Sequence, residues 1–187
     1  MFDAAVDAGT AEQAASAPVQ SGKIMLLTRL NAALSRICMM VAVAALFGIV
    51  FVVAWQVFGR YVLNDTPTWA ESVALVLVIY VTMFGAAAGV RDAGHIGMES
   101  ILVLLPPKIR EKFEILIHIL VACFGGAMVW YGSILGRSVM NYKIPTLGLS
   151  EGVNYIAVVV AGALIILFCI EHIIAIVTGK EVVPSWH

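Results

Sequence analysis

Residues 37–59 read ICMMVAVAALFGIVFVVAWQVFG, a run of 23 residues without a charged side chain. An α-helix rises about 1.5 Å per residue, so roughly 20 mostly apolar residues cross the hydrocarbon core of a bilayer. Three more uncharged runs of 19, 22 and 19 residues follow, at 72–90, 115–136 and 152–170. The sequence therefore predicts an all-α membrane protein with four transmembrane helices, at about 37–59, 70–90, 114–136 and 152–177.

The composition of the whole chain agrees with this class. Of its 187 residues, 61% are hydrophobic and 12% are charged, whereas soluble domains contain about 45–50% and about 25%. We predict a four-helix membrane domain over 23–178, with a mobile N-terminal tail at 1–22 and a C-terminal tail at 179–187. The first tail has acidic residues, no basic start and no unbroken apolar core, so it does not match a signal peptide.

Lysine and arginine residues predict the orientation in the membrane. Four spans place both termini and the central loop on one side, where eight of these basic residues fall, against three on the other side. By the positive-inside rule, both termini are expected in the cytoplasm, and the turns after the first and third spans are expected outside.

The central loop contains an amphipathic pattern that is too short to span a membrane. Its apolar residues recur at helical spacing and are followed by Pro106 and Pro107, which predicts a short interfacial helix at about 95–105. The stripe consists of Met98, Ile101, Leu102 and Leu105. Three basic residues then precede the third span and are expected beside anionic lipid headgroups: Lys108, Arg110 and Lys112.

Two GxxxG motifs lie within the predicted spans. In the second span, Gly85 to Gly89 encloses only alanines, and Gly132 and Gly136 repeat the spacing in the third span. Small residues four apart let another helix approach closely. We therefore expect tight helix packing at Gly85, Ala86 and Gly89, either within the chain or against a partner.

The two outward turns share a pattern. GRYVLNDTPT at 59–68 and GRSVMNYKIPT at 136–146 both contain Gly-Arg, Val, Asn and Pro-Thr in the same order. This pattern fits a parallel duplication of two helix pairs. It also fits convergence, because Gly, Asn and Pro suit any turn between helices.

The start of the second span allows two structural readings. Glu71 follows Thr68 at capping-box spacing, whereas Pro67 also suits a first helical position. Trp69 is an amphipathic residue of the kind found at membrane interfaces. Alternatively, Trp69, Glu71 and Arg60 contact a partner protein. Catalysis by Glu71 would need a second acid, base or metal ligand nearby, and the sequence offers none, so no enzyme activity is predicted.

Three histidines, His95, His118 and His172, fall near the cytoplasmic ends of the predicted spans. They are interpreted as interfacial side chains, and the alternative is a haem-bearing membrane anchor of a redox complex. Only one of them lies well inside a span, so no cofactor or metal is expected. The cysteines show no paired or metal-binding spacing and are expected to pack between helices: Cys38, Cys123 and Cys169.

The spans contain no proline and no acidic or basic residue at their centres. Carriers usually have broken helices, inward charges or inverted repeats around a midplane site. The sequence therefore favours a helical accessory or scaffold over a self-sufficient small transporter.

One pattern of residues lies within the stretch from Gln56 to Pro107. It consists of Arg60, Tyr61, Pro67, Trp69, Glu71, Gly85, Ala86, His95, Leu105 and Pro106. This pattern resembles the small membrane subunit (DctQ-like) of tripartite ATP-independent periplasmic (TRAP) transporters. At Ser72 the family often has a second acid, and at Tyr80 it often has tryptophan.

The resemblance implies a subunit without catalysis or cofactor in a bacterial inner membrane. In this family, the small subunit pairs with a much larger, many-spanning subunit that carries sodium and substrate, and an extracytoplasmic binding protein delivers the ligand. The implied function is a scaffold for uptake of an organic anion, either a C4-dicarboxylate or a sugar acid. Membrane lipids are expected partners, and nucleic acid is not.

Overall fold

The computed structural model describes residues 20–65, 67–92 and 107–178. Within them, four α-helices are each long and apolar enough to cross a membrane, which confirms the predicted all-α, four-span class. The helices are α1 (Gln20–Phe58), α2 (Thr68–Asp92), α3 (Pro107–Ser138) and α4 (Gly152–Thr178), and a π-helical turn, Gly59–Leu63, extends α1.

Helix α1 begins at Gln20 and is longer than the span predicted within it. No proline occurs between Pro18 and Pro67, so no residue in this stretch removes a backbone donor and forces a break. The helix α3 begins at Pro107, a residue whose fixed φ suits the first position of a helix. The basic residues expected at the lipid headgroups lie in its first two turns: Lys108, Arg110 and Lys112.

Some predictions fall outside the described residues. They are most of the N-terminal tail, the interfacial helix at about 95–105 and the C-terminal tail. The four apolar residues of the interfacial stripe belong to this group: Met98, Ile101, Leu102 and Leu105.

The helices pack as two pairs. Helix α1 lies against α2 and α3 lies against α4, and the main contact between the pairs joins α2 to α4. The core at this junction consists of Ala87, Ala161, Ile165, Phe168 and Cys169. Three of these five side chains are small, as expected where dispersion between close backbones holds membrane helices together, and Phe168 is the largest.

The outer surface of the bundle is strongly apolar. Phe47 and Phe51 on α1 are 71% and 70% exposed, and Trp130 on α3 is 68% exposed. An exposed apolar surface of this extent matches a lipid environment. Cys38 and Cys169 are buried as expected. Cys123 is exposed, so its predicted packing between helices is wrong: it lies on the outer face of α3, away from the other described helices.

The first interhelical turn depends on two backbone positions. The amide of Asp65 donates to the carbonyl oxygen of Gly59 at 3.1 Å, and Asn64 adopts the left-handed conformation with φ 53°. A Cβ at position 59 would lie 2.9 Å from the carbonyl oxygen of Asp65. Glycine is therefore required where the chain folds back on itself, and asparagine tolerates the left-handed conformation.

The second turn has a different conformation. Ser150 Oγ donates to the carbonyl oxygen of Met140 at 2.6 Å, and Gly148 has φ 67°. Gly136 packs against Tyr155 of α4, and Asn141 is absent from the left-handed region. The letters shared by the two turns thus have different structural roles, which favours convergence over duplication.

Both turns lie at one end of the bundle, called the turn end here. The hydroxyls of Ser72 and Thr146 share a hydrogen bond of 2.5 Å between the start of α2 and the second turn. Tyr80 Oη donates to the carbonyl oxygen of Val153 on α4 at 3.1 Å. Ser72 and Tyr80, the two departures from the family pattern, therefore both connect the helix pairs.

Candidate functional site

Charged side chains of α2 and α4 meet near the end of the bundle opposite the turn end. Arg91 donates from Nε and Nη2 to the two carboxylate oxygens of Glu171, at 3.3 Å each, and from Nη1 to Asp92 Oδ1 at 2.8 Å. Arg91 is 2% exposed and Glu171 is 7% exposed. This bidentate contact fixes the orientation of the guanidinium plane and pairs its positive charge with a carboxylate.

Helix α1 joins the same group through a hydroxyl. Ser35 is fully buried, and its Oγ donates to Asp92 Oδ2 at 2.5 Å. Asn31 is also buried and lies one helical turn before Ser35, so both polar residues are on the face of α1 that points into the bundle.

Two of the three predicted histidines extend the group to α3. His172 Nε2 donates to the carbonyl oxygen of Arg91 at 3.0 Å, and His118 Nδ1 donates to the carbonyl oxygen of Glu114 at 2.8 Å. The two imidazole rings contact each other, with centroids 4.8 Å apart and planes at 36°. His95 lies outside the described residues.

The polar network, as we name it, therefore includes residues of all four helices. It consists of Ser35, Arg91, Asp92, His118, Glu171 and His172. Its one cation, Arg91, is held between two carboxylates on α2 and α4, so the arrangement can hold the helices in a fixed register. Removing one partner of such a buried pair leaves an uncompensated charge, at a cost of about 3–5 kcal/mol.

The histidine geometry does not favour the haem alternative. The His118 and His172 rings lie directly against each other, which leaves no space for a macrocycle between them. Their hydrogen bonds to backbone carbonyl groups anchor the rings within the bundle.

The predicted packing residues of α2 face away from the other helices. A Cβ at Gly85 or Gly89 would meet no atom of the described residues within 4 Å, and Ala86 is exposed. We call Gly85, Ala86 and Gly89 the open face. On the opposite side of α2, Ala87 and Ala88 are completely buried.

The second GxxxG motif has the opposite environment. A Cβ at Gly132 would lie 3.1 Å from a methyl group of Val159, and one at Gly136 would lie 3.0 Å from the Cβ of Tyr155. This motif therefore packs inside the chain, between α3 and α4.

Helices α3 and α4 also approach each other closely at a glycine pair that was not predicted from the sequence. A Cβ at Gly125 would lie 2.9 Å from the carbonyl oxygen of Gly162, and one at Gly162 would lie 2.8 Å from the carbonyl oxygen of Gly125. The Gly125-Gly126 doublet and the Ala-Gly-Ala sequence at 161–163 were the available signals.

The remaining predicted interface residues lie at the turn end. Arg60 is exposed in the π-helical turn, Glu71 is exposed in the first turn of α2, and Trp69 is 42% exposed. Helix α2 begins at Thr68, which is within a residue or two of the start that each of the two readings predicts. Among the described residues, no ion pair joins Arg60 to Glu71.

The charged part of the polar network was not predicted from the sequence. The uncharged runs at 72–90 and 152–170 end at Arg91 and Glu171, but neither residue was assigned to a site. The sequence does contain a signal for it: two pairs of neighbouring polar residues lie at the corresponding ends of the second and fourth spans. They are Arg91-Asp92 and Glu171-His172. Such pairs at equal depth in neighbouring helices are candidates for mutual neutralisation.

The fold and the polar network together define a multi-span helical membrane protein whose buried charges bind one another. The family model for the DctQ component of tripartite ATP-independent periplasmic transporters matches residues 49–179, well over half of the chain. The chain belongs to this family. It is a TRAP transporter subunit of the multi-pass inner-membrane type, in a family of transporter components rather than enzymes.

Three proteins similar to this chain are named as permease proteins of TRAP transporters. The sialic acid TRAP transporter small permease protein SiaQ of Vibrio cholerae is 25% identical over 149 residues, which cover 80% of this chain and 86% of SiaQ. A putative TRAP transporter small permease protein of Haemophilus influenzae is 27% identical, with coverage of 78% and 88%. The sialic acid TRAP transporter permease protein SiaT, also from Haemophilus influenzae, is 29% identical over 75% of this chain but only 23% of SiaT.

Proposed function

We propose that this chain is the small scaffold subunit of a sodium-coupled TRAP system for organic-anion uptake, and that it packs against and stabilises a large transport subunit. Sodium and substrate are carried by the large subunit, and an extracytoplasmic binding protein supplies the ligand. The termini lie in the cytoplasm, and the turn end faces outward, as the excess of basic residues on the terminal side indicates.

The open face of α2 is the observation that carries this proposal. Gly85 and Gly89 expose helix backbone at a spacing that suits close approach by another helix, and no helix of this chain fills that place among the described residues. Because lipid tails are as apolar as the helix surfaces, the hydrophobic effect contributes little to helix association in a bilayer. Close backbone contact therefore contributes much of the free energy of association. A helix of the large subunit is the proposed occupant.

The match to SiaT supports a large partner. A counterpart of this chain covers less than a quarter of the SiaT permease. Two modules that are joined in one polypeptide have a high effective concentration and are well placed to form a stable contact. We propose that this chain makes the same kind of contact as a separate subunit.

The names of two relatives favour a sugar acid over a C4-dicarboxylate as the transported anion, because both refer to sialic acid. In the proposed assembly the groups that bind the anion belong to the large subunit and to the binding protein. The charges described in this chain fit that division, since Arg91, Asp92 and Glu171 bind one another.

The proposal is tested by affinity purification of the tagged chain in mild detergent, followed by identification of the proteins that accompany it. A many-spanning membrane protein is expected with the wild type. The double variant Gly85→Leu, Gly89→Leu should recover much less of it, because the added side chains keep the two helices apart. Recovery and anion uptake equal to those of the wild type would contradict the packing role.

A matched control is Gly126→Leu, since an added Cβ at position 126 on α3 would also have no atom within 4 Å in the part of the chain that the structure describes. It should retain the large subunit, and an equal loss in this variant would show that any added bulk disturbs the complex. Arg60→Glu tests the turn end separately. Reduced uptake with an intact chain is expected if Arg60 contacts a partner, and wild-type uptake would remove it from the interface.

A further inference from the structure

A lateral groove lies between α3 and α4 at the turn end. It has a volume of about 230 Å³. Glycines of α3 form its floor and apolar residues of α4 form its wall: Gly132, Gly136, Tyr155, Ile156, Val159 and Val160. Because each residue of a helix adds about 1.5 Å, the groove extends roughly 7 Å along α3, from Arg137 towards the middle of the span.

One cation lies at the outer mouth of this apolar groove. Arg137 is exposed in the last turn of α3 and lines the groove. Within the residues that the structure describes, no ion pair or side-chain hydrogen bond engages its guanidinium, and Glu151 in the second turn is not paired with it. The groove thus combines an unpaired guanidinium with an uncharged interior.

Arg137 is the only charged residue among the described residues that line the groove, and Tyr155 adds a phenolic hydroxyl on the α4 side. Ser133 also lines it, but its Oγ donates to the carbonyl oxygen of Val129 at 2.6 Å and is already used within α3. Val160 is 40% exposed at the inner end of the groove. An occupant therefore needs an anionic group at one end and a hydrocarbon body at the other.

We propose that this groove binds one anionic phospholipid. Its phosphate contacts the Arg137 guanidinium, and one of its acyl chains lies along the glycine floor and the α4 wall. Guanidinium binds phosphate through paired hydrogen bonds of fixed geometry, and the contact is stronger where water is excluded. The bound lipid fills the groove beside the α3–α4 contact, which links lipid composition to the packing of this helix pair.

The test measures lipid binding to the purified, delipidated full chain by native mass spectrometry. Phosphatidylglycerol is titrated against phosphatidylcholine with the same acyl chains. The wild type should bind one phosphatidylglycerol in preference to phosphatidylcholine. Arg137→Gln should weaken phosphatidylglycerol binding about tenfold, the effect of losing one charge-assisted contact. Val160→Phe, which fills the inner end of the groove, should weaken binding of both lipids.

Arg60→Gln is the matched control, because Arg60 is another exposed arginine at the turn end and does not line the groove. It should leave lipid binding unchanged. Equal affinity in wild type and Arg137→Gln would overturn the proposal, as would an equal loss in Arg60→Gln. If Arg137→Gln instead lowers recovery of the large subunit without changing lipid binding, the groove accepts a protein and the lipid assignment is wrong.

Discussion

The two GxxxG motifs have the same spacing and opposite environments. Gly132 and Gly136 on α3 are in contact with α4, whereas Gly85 and Gly89 on α2 border open space. In water, the apolar face of a helix identifies its buried side. In a bilayer both sides are apolar, so a motif of small residues shows where a helix can approach but leaves open which helix does so.

Helix α2 contains both kinds of surface within the seven residues 85–91. Its inward side carries the buried Ala87, Ala88 and Arg91, and its outward side carries the open face. The difference in burial between the two sides separates residues that stabilise the fold of this chain from residues that are available to contact another chain. Three variants test that separation, because they should affect the stability of the isolated chain to very different degrees.

The largest loss is expected for Arg91→Leu. Without the guanidinium, Glu171 and Asp92 remain buried without their main counter-charge, and the free energy of unfolding should fall by about 3–5 kcal/mol. The measurement is unfolding of the isolated chain by SDS in mixed micelles, followed by circular dichroism. Arg60→Leu is the control at an exposed arginine and should cost far less. Equal stability of Arg91→Leu and the wild type would show that the network does not hold the bundle together.

An intermediate loss is expected for Gly125→Ala. The new Cβ would lie 2.9 Å from the carbonyl oxygen of Gly162, so α3 and α4 must move apart. Overpacking of this kind costs about 1–3 kcal/mol. Gly126→Ala provides a control on the adjacent residue, where an added Cβ meets no atom of residues 20–65, 67–92 and 107–178 within 4 Å. If both alanine variants unfold at the same SDS fraction, the glycine contact is not a stability determinant.

The smallest effect is expected for Gly85→Leu with Gly89→Leu in the isolated chain. Both side chains would enter open space, so stability should change by no more than about 0.5 kcal/mol. The same variant is expected to lose the large subunit. A large loss of stability without any partner present would place the open face inside the fold and would remove the distinction between the two motifs.

The spans were predictable because charged side chains are too costly to leave in hydrocarbon, so uncharged runs of about 20 residues mark the helices directly. The length of α1 and the π-helical turn were harder to predict from the sequence. The turn depends on the close approach of Gly59 to Asp65, and the sequence shows the glycine without its contact.

The polar network was harder to predict because its pairing depends on which helices are neighbours. Arg91 and Glu171 are 80 residues apart and meet only because α2 packs on α4. The histidines at similar depth were recognised, but their contact required the same neighbour relation. The open face could be proposed from its spacing, whereas its direction required the packed bundle.

The position of Asp92 beside Arg91 has a consequence for biogenesis. When α2 leaves the ribosome and enters the bilayer, Glu171 has not yet been synthesised, and the arginine arrives 80 residues before that counter-charge. Asp92 neutralises it locally at 2.8 Å, so the first helix pair can be inserted without an isolated cation. The arrival of α4 then supplies Glu171, whose two carboxylate oxygens complete the arginine's coordination.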